Sequence, residues 1–223
     1  MFERVAVIGR GRVGSAVAER LNQRGLRVVN RPYQQDADLV VFCVPDGAIA
    51  SESAQVTPGP WVAHVSGATP LSALSPHVRR FGVHPLQTFT RSRGAEQLDG
   101  AWAAVTAENS EGRDRGRWLG ETLGLRPFDL DDRQRTLYHA GAVVASNYLV
   151  TLYRAASRLV AAAGAPPEAL IPLMQRTIEN GFELTGPIAR GDRATVDAHL
   201  SELDSRASDL ADMYRALAAV TRP

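Results

Sequence analysis

The chain contains no lysine: its 25 basic residues are all arginine. That absence excludes a Schiff-base lysine, a phosphate-gripping P-loop lysine and a lysine general acid. Any proton the chain delivers must come from another residue type or from water. Cysteine is almost missing as well. The single Cys43 rules out an internal disulfide and fits a reducing compartment. It stands in the apolar run 39–44, where a small buried hydrophobe is expected rather than a nucleophile. No apolar run approaches the roughly 20 residues a membrane span needs, and the N-terminus carries no secretory pattern. The expectation is a cytoplasmic protein. Charge of either sign is not in excess: the net charge is +1, which gives no electrostatic case for nucleic acid or a membrane surface. No HExxH or paired-ligand spacing suggests a metal, and no GxSxG follows a strand, so metal and serine-hydrolase chemistry are both disfavoured.

What is present begins at once. Residues 4–14 (RVAVIGRGRVG) form a short apolar strand running into Gly9-x-Gly11-x-x-Gly14, followed by a helix expected over 15–23. This is the start of a dinucleotide-binding unit. Gly9 permits the tight turn, Gly11 lets backbone approach a pyrophosphate, and Gly14 lets the helix pack on the sheet. Free N–H groups at the helix start then hold the phosphates, so Gly9, Gly11, Arg12, Val13 and Gly14 are the expected cofactor turn. A second strand at 26–29 ends at Asn30-Arg31, where NAD enzymes usually place a carboxylate for the ribose 2′-hydroxyl. Arg31 can grip a 2′-phosphate, which favours NADP(H) over NAD(H). Alternatively it is a solvated loop residue.

Further strands are expected at 39–44, 61–65, 80–84 and 101–107, with a short helix at 48–55 and a charged helix at 111–123 leading to 125–129. Strands alternating with helices predict an α/β fold with a doubly wound parallel (Rossmann) sheet over residues 1–130. Beyond 131 the period becomes helical. One helix is expected over 134–163, with Leu137, Val144, Tyr148, Leu152, Ala155 and Leu159 on a stripe, and others over 167–184 and 195–220. Residues 131–223 thus form an all-helical C-terminal domain. The segment 92–96 is expected to be a mobile loop. A substrate cleft is expected outside the carboxyl ends of the strands.

Five stretches carry a resemblance: VIGRGRVG at 7–14, Ser66-Gly67-Ala68, GVHPLQTF at 82–89, His139 with Ala145-Ser146-Asn147, and LTGPIARGD at 184–192. Together they resemble the predicted oxidoreductases that join a Rossmann domain to a C-terminal helical domain of unknown function. That group is related to 6-phosphogluconate and β-hydroxyacid dehydrogenases, ketopantoate reductase and pyrroline-5-carboxylate reductase. The resemblance covers nearly the whole chain. It implies an NAD(P)-dependent reductase, often a homodimer through the helical domain, with Val44, Pro45 and Asp46 beside the cofactor ribose. It also implies association of some members with ketopantoate reduction in pantothenate synthesis. The alternative reading of Asp46 is a cap of the following helix.

The chain departs from its relatives at one chemical position. Common ketopantoate reductases and β-hydroxyacid dehydrogenases use a lysine four residues before an asparagine; here Asn147 is present but that place holds Val143. Reduction of a carbonyl still needs a proton donor near neutrality, and histidine is the natural substitute. His84, at a strand end before Pro85, and His139, on the long helix eight residues before Asn147, are the candidates. For both, structural hydrogen bonding is the alternative. His64 reads as a core histidine, His77 as a surface residue, and His199 as packing or an exposed face. Asn147 could bond the substrate or the nicotinamide amide, or tie helices together. Ser66 could touch the nicotinamide or substrate oxygen, or simply close its turn. Arg190 could clamp a substrate carboxylate, or be an exposed loop arginine. Three functions follow: an NADPH-dependent reductase of a small 2-oxo acid, with ketopantoate first; a cyclic imine reductase, whose charged acceptor brings its own proton; and a non-catalytic NADP(H)-sensing protein.

Overall fold

Short runs of valine, alanine and other apolar residues make most of the strands; Gly9 follows the first and Pro85 closes the fifth. The computed structural model describes residues 2–29 and 36–221. It divides into two compact units, residues 1–146 and 147–223. The sequence places the change of character near 131, where helices take over. The first of those helices nevertheless belongs with the sheet, because it lays a buried arginine against it.

In the first unit, β1 (Arg4–Ile8), β2 (Arg27–Val29), β3 (Leu39–Phe42), β4 (Trp61–His64), β5 (Arg80–Pro85), β6 (Trp102–Ala107) and β7 (Arg126–Asp129) form one sheet. Its order is β2-β1-β3-β4-β5-β6-β7. The first five strands are mutually parallel, with Ile8 beside Phe42 and His64 beside Gly82. β6 runs antiparallel to β5, His84 facing Ala104, and β7 is parallel to β6. The sheet is therefore mostly parallel, not wholly so. The cause lies in the connection: residues 86–101 contain a single 3-10 turn, Ala95–Leu98, and no helix to carry the chain across a face of the sheet.

Alternation along the strands fills both faces. Leu39 and Val41 join Val5, Val17, Leu21, Phe81, Val105 and Leu119 beneath α1 (Arg12–Gln23). Val40 and Phe42 join Ile49, Val62, Leu71 and Leu74 on that opposite face, where α2 (Ile49–Ser53) and the 3-10 turn Leu71–Leu74 pack. α3 (Ser110–Thr122) packs on β5, β6 and β7. A side chain at Gly116 would press on Val105, which explains the glycine there. These two covered faces make the sheet doubly wound, as the strand–helix alternation predicts.

The loop expected to be mobile is instead tied down. Gln97, 2% exposed, donates from its amide to the carbonyls of Arg93 (2.7 Å), Gly94 (3.1 Å) and Thr90 (3.3 Å) and accepts from the Thr90 N–H (2.7 Å). From α1, Glu19 accepts the Ala95 N–H at 3.1 Å and buried Arg20 donates to the Ala95 carbonyl at 2.8 Å.

After the sheet come α4 (Arg135–Val143), a π-helical turn Val144–Tyr148 and α5 (Leu149–Ala162), where the sequence predicts one uniform helix. In the turn the Ser146 hydroxyl donates to the Ala142 carbonyl at 2.7 Å, a side-chain bond of the kind that bends helices. The second unit continues with α6 (Leu170–Glu179), α7 (Gly186–Ala189), α8 (Arg193–Arg206) and α9 (Ser208–Val220). α6 stops short of the expected 184 because Gly181 and Phe182 adopt positive φ. The single helix expected over 195–220 is broken at Ala207, which has φ −154° and ψ 53°. Leu203, Ala207 and Ala211 form its small core with Leu159, Leu210 and Tyr214. Of the expected stripe only Ala155 is buried, whereas Leu137 is 74% and Tyr148 56% exposed. No helix among the described residues is long and apolar enough to cross a membrane.

Replacing Gln97 by alanine should cost about 2 kcal/mol or more, since it strands several buried backbone groups at once. Urea unfolding of the two proteins measures this; equal midpoints would show that the loop holds itself.

Candidate active site

The reversal of strand order lies at β1 and β3, whose carboxyl ends lead into two loops side by side. Such a switch point is where open α/β sheets bind ligands. Gly9 has φ +114°, and a side chain on it would collide with the Cys43 carbonyl; one on Gly14 would collide with the Gly9 carbonyl. These glycines close the turn. Gly11 is different: a Cβ there would meet nothing within 4 Å. Its outer face is open above the start of α1, where no side chain caps the helix and the first turn has no acidic residue. The amides and positive dipole end of α1 are thus left to an external acceptor, and this cradle fits a diphosphate. Exposed Arg12 donates to the Phe89 carbonyl at 3.3 Å, which links the turn to the loop after β5, and half-buried Val13 packs on the core. Val44, Pro45 and Asp46 follow β3. Asp46 does not cap a helix: neither the 3-10 turn Asp46–Ala48 nor α2 has a side-chain cap. Asn30 and Arg31 lie outside the described residues.

The same sheet edge carries the ends of β4 and β5, and with them a polar cluster on the face covered by α4. His84 Nδ1 lies 2.9 Å from the Tyr138 hydroxyl. The His84 and His139 rings meet edge to face with centroids 5.9 Å apart. Gly67 sits against both: a Cβ there would be 2.8 Å from His84 Nε2 and 2.6 Å from His139 Cδ2. Burial first, then the neighbouring His139 and Arg135, lower the His84 pKa from the usual 6.5 to about 4. Burial pushes the Tyr138 phenol up to about 12, so it stays protonated at neutral pH. Either the phenol or Nδ1 can donate in that bond, and Nε2 faces Gly67 and His139.

Beneath the histidines lies Arg135, 1% exposed. Its Nε donates to Asp132 at 3.0 Å and its Nη1 to the Ser66 carbonyl at 2.7 Å. Asp132 in turn accepts the Leu71 N–H at 3.1 Å. The remaining Nη2 has no hydrogen-bond partner and occupies the space a side chain at Gly82 would fill. Fully buried His64 borders the same space, its Cε1 3.3 Å from where a Gly82 side chain would begin, and neither of its ring nitrogens makes a hydrogen bond of normal geometry. Burial, reinforced by Arg135 and His84, drives its pKa down to about 3.

The structure thus brings together the glycine turn, the Val44–Asp46 loop, Ser66, His84 and His139 within the first unit. Ser66 is occupied by its own turn: its hydroxyl bonds Thr69 Oγ1 at 2.9 Å and accepts the Thr69 N–H at 3.0 Å. Asn147, in the π-helical turn, and exposed Arg190, after α7, belong to the second unit. His77 is not a surface residue. It is 2% exposed, and its Nε2 pairs with the Ser53 carbonyl at the end of α2 at 3.1 Å. His199 is exposed and bonds the Tyr214 hydroxyl at 2.7 Å. Sequence reasoning missed Asp132, Arg135 and Tyr138. Their spacing of three residues, immediately before His139, placed them on one helical face and was the available signal.

A family model for a domain of unknown function, DUF2520, matches residues 101–221. The chain belongs to that family. No curated protein matches its sequence. Among solved structures it is similar to a candidate NADP oxidoreductase from Bacteroides fragilis, at 22% identity and TM-score 0.80, over 97% of this chain and 96% of that one. A protein from Thermotoga maritima matches at 20% identity and TM-score 0.78, over 97% and 96%. The 1-pyrroline-5-carboxylate reductase of Streptococcus pyogenes matches at 15% identity and TM-score 0.61, over 96% and 97%. At these identities the likeness establishes the shared fold, a Rossmann sheet followed by helices.

Two substitutions separate structural from ligand-facing glycines. Gly14→Ala should lose about 2 kcal/mol or more of stability through its clash, while Gly11→Ala should unfold like the parent yet weaken any binding of a diphosphate-bearing dinucleotide at least tenfold by calorimetry. His64→Leu removes a buried imidazole whose ring nitrogens make no hydrogen bond of normal geometry. In the parent, His64 and His84 take up protons near pH 3 and 4 when folded but near 6.5 when unfolded, so stability falls as pH drops below about 6.5. The leucine variant should match or exceed the parent's stability at pH 7 and outlast it at pH 5. Thermal unfolding at the two pH values tests this, and a large loss at both would show that His64 is held by a bond after all.

Proposed function

We propose that the chain is an NADP(H)-dependent oxidoreductase interconverting the carbonyl of a small 2-oxo acid and the corresponding hydroxy acid. The observation that carries this reading is one sheet edge bearing both an open-faced glycine turn and a paired, partly desolvated histidine cluster. A nicotinamide dinucleotide bound at the turn would supply or accept hydride. The choice of NADP rests on Asn30-Arg31, where a carboxylate would repel a 2′-phosphate. Gly9, Gly11 and Gly14 with the α1 amides would hold the diphosphate, and Val44, Pro45 and Asp46 would line the ribose side.

The chain's own residues handle the proton. His84 presents Nε2 and His139 shares its edge, so either ring can bond the reacting oxygen. Hydride addition leaves an alkoxide that would take a proton from imidazolium; in the opposite direction neutral imidazole would remove the hydroxyl proton. A low His84 pKa keeps the ring neutral at pH 7, the form that the oxidising direction requires. With the free enzyme titrating near 4, kcat/KM for oxidation should be flat from pH 5.5 upward, and kcat/KM for reduction should fall about tenfold per unit. His84→Gln and His139→Gln should lower kcat at least tenfold while leaving NADPH affinity unchanged. Arg190→Ala should raise KM for an acid substrate, and Asn147→Ala should lower kcat.

The decisive assay is NADPH oxidation with a panel of 2-oxo acids, ketopantoate first, and cyclic imines. The same low His84 pKa favours a second reading, reduction of a cyclic imine that arrives already protonated. Turnover of imines alone would select it. Tight NADPH binding with no acceptor across the panel would leave a nucleotide-sensing protein. We also propose that two chains pair through the helical unit, on the support of exposed Val150, Leu173 and Ile178, 49%, 61% and 55% accessible. Sedimentation gives the oligomeric state directly.

A further inference from the structure

Buried charges are rare unless they are compensated, and a removed partner leaves a large penalty behind. Arg135 is compensated only in part. One arm reaches Asp132, another the Ser66 carbonyl, and the third ends without a partner in the space left by Gly82. A surface tie would not need such placement. The Asp132 pair and Leu71 amide anchor the start of α4, so the guanidinium is fixed from both sides.

We infer that Arg135 is the positioning residue of the histidine pair: its grip on the Ser66 carbonyl sets Gly67 against both rings, and its buried positive charge disfavours a second one on His84. The inference deepens the reading of His84 as the proton-handling group and rests on it for its consequence in turnover, though not for its own test. The steric half follows from adjacency in the chain, since the residue after the gripped carbonyl is the glycine that touches His84 Nε2 and His139 Cδ2.

The electrostatic half follows from the groups facing His84. From α4 these are His139, Tyr138 and Arg135; from the turn after β3, Asp46; from the neighbouring strand β4, His64. Asp46 favours protonation of His84, but it is exposed, while Arg135 is sealed in the sheet where its charge is little screened. Arginine suits the task because its guanidinium stays charged when buried and its fork serves Asp132 and Ser66 together. A lysine would reach one of them. Tyr138 completes the arrangement by fixing Nδ1, which leaves Nε2 as the exchangeable position.

The test is an NMR titration of imidazole signals in the full chain without nucleotide, with His84 identified by its loss in His84→Gln. In the parent, His84 should stay neutral from pH 8 to 5.5. Arg135→Gln and Arg135→Met should each raise its midpoint by about one unit, bringing the onset of protonation into the lower end of that window. Arg135→Lys, which keeps the charge, should stay flat. Glutamine retains a donor for the Ser66 carbonyl, so it decides the matter if the methionine variant does not fold. A flat His84 in folded Arg135→Gln, or a parent that titrates near 6.5, overturns the inference. Failure of every acceptor in the turnover assay would instead remove the functional reading and leave the titration result standing. Conversely, turnover with an unmoved midpoint removes the inference alone.

Discussion

A guanidinium driven into the sheet, with no side chain at Gly82 to exclude it, is the constraint on which the histidine cluster depends. It joins α4 to the end of β4 through Asp132 and the Ser66 carbonyl. Burial pulls the Arg135 pKa below its usual value and Asp132 opposes the shift. An unpaired Nη2 and a His64 with no hydrogen bond of normal geometry lie side by side there, and the same guanidinium fixes a turn beside the His84 and His139 rings. Natural proteins break local rules of polar satisfaction mainly at functional sites.

Much of the amino-terminal unit was legible in the chain. The apolar run before Gly9, the spacing to Gly14 and the strand–helix alternation state a dinucleotide fold, because each glycine answers a steric demand that no other residue meets. The direction of β6 was not legible, since an alternating strand carries no sign of which way it runs. Nor was the break at Ala207, which lacks the glycine or proline that usually marks one. The loop around Gln97 looked mobile because its polar residues were read one at a time; a single buried amide that serves three carbonyls is visible only in three dimensions.

The candidate chemistry divides the same way. His84 and His139 were found by elimination, once lysine was missing, but their relation to Tyr138 and Gly67 needed coordinates. His77 was misjudged because Ser75-Pro76 resembles a surface turn, whereas the carbonyl that receives the ring comes from Ser53, 24 residues away. Long-range partners of this kind leave no local periodicity. In the helical unit, the apolar stripe was real as a pattern, yet most of it stays uncovered in the single chain.

Cys43 acquires a use from its position. Its carbonyl is the atom that crowds Gly9, its Cβ stands 3.1 Å from where a side chain on Gly14 would begin, and burial lifts its thiol to about 12. In the closed turn it is both shielded and protonated, hence inert. A chain with one sulfhydryl packed beneath its first glycine turn carries a built-in chemical gauge: labelling speed with a disulfide reagent reports how often that turn opens.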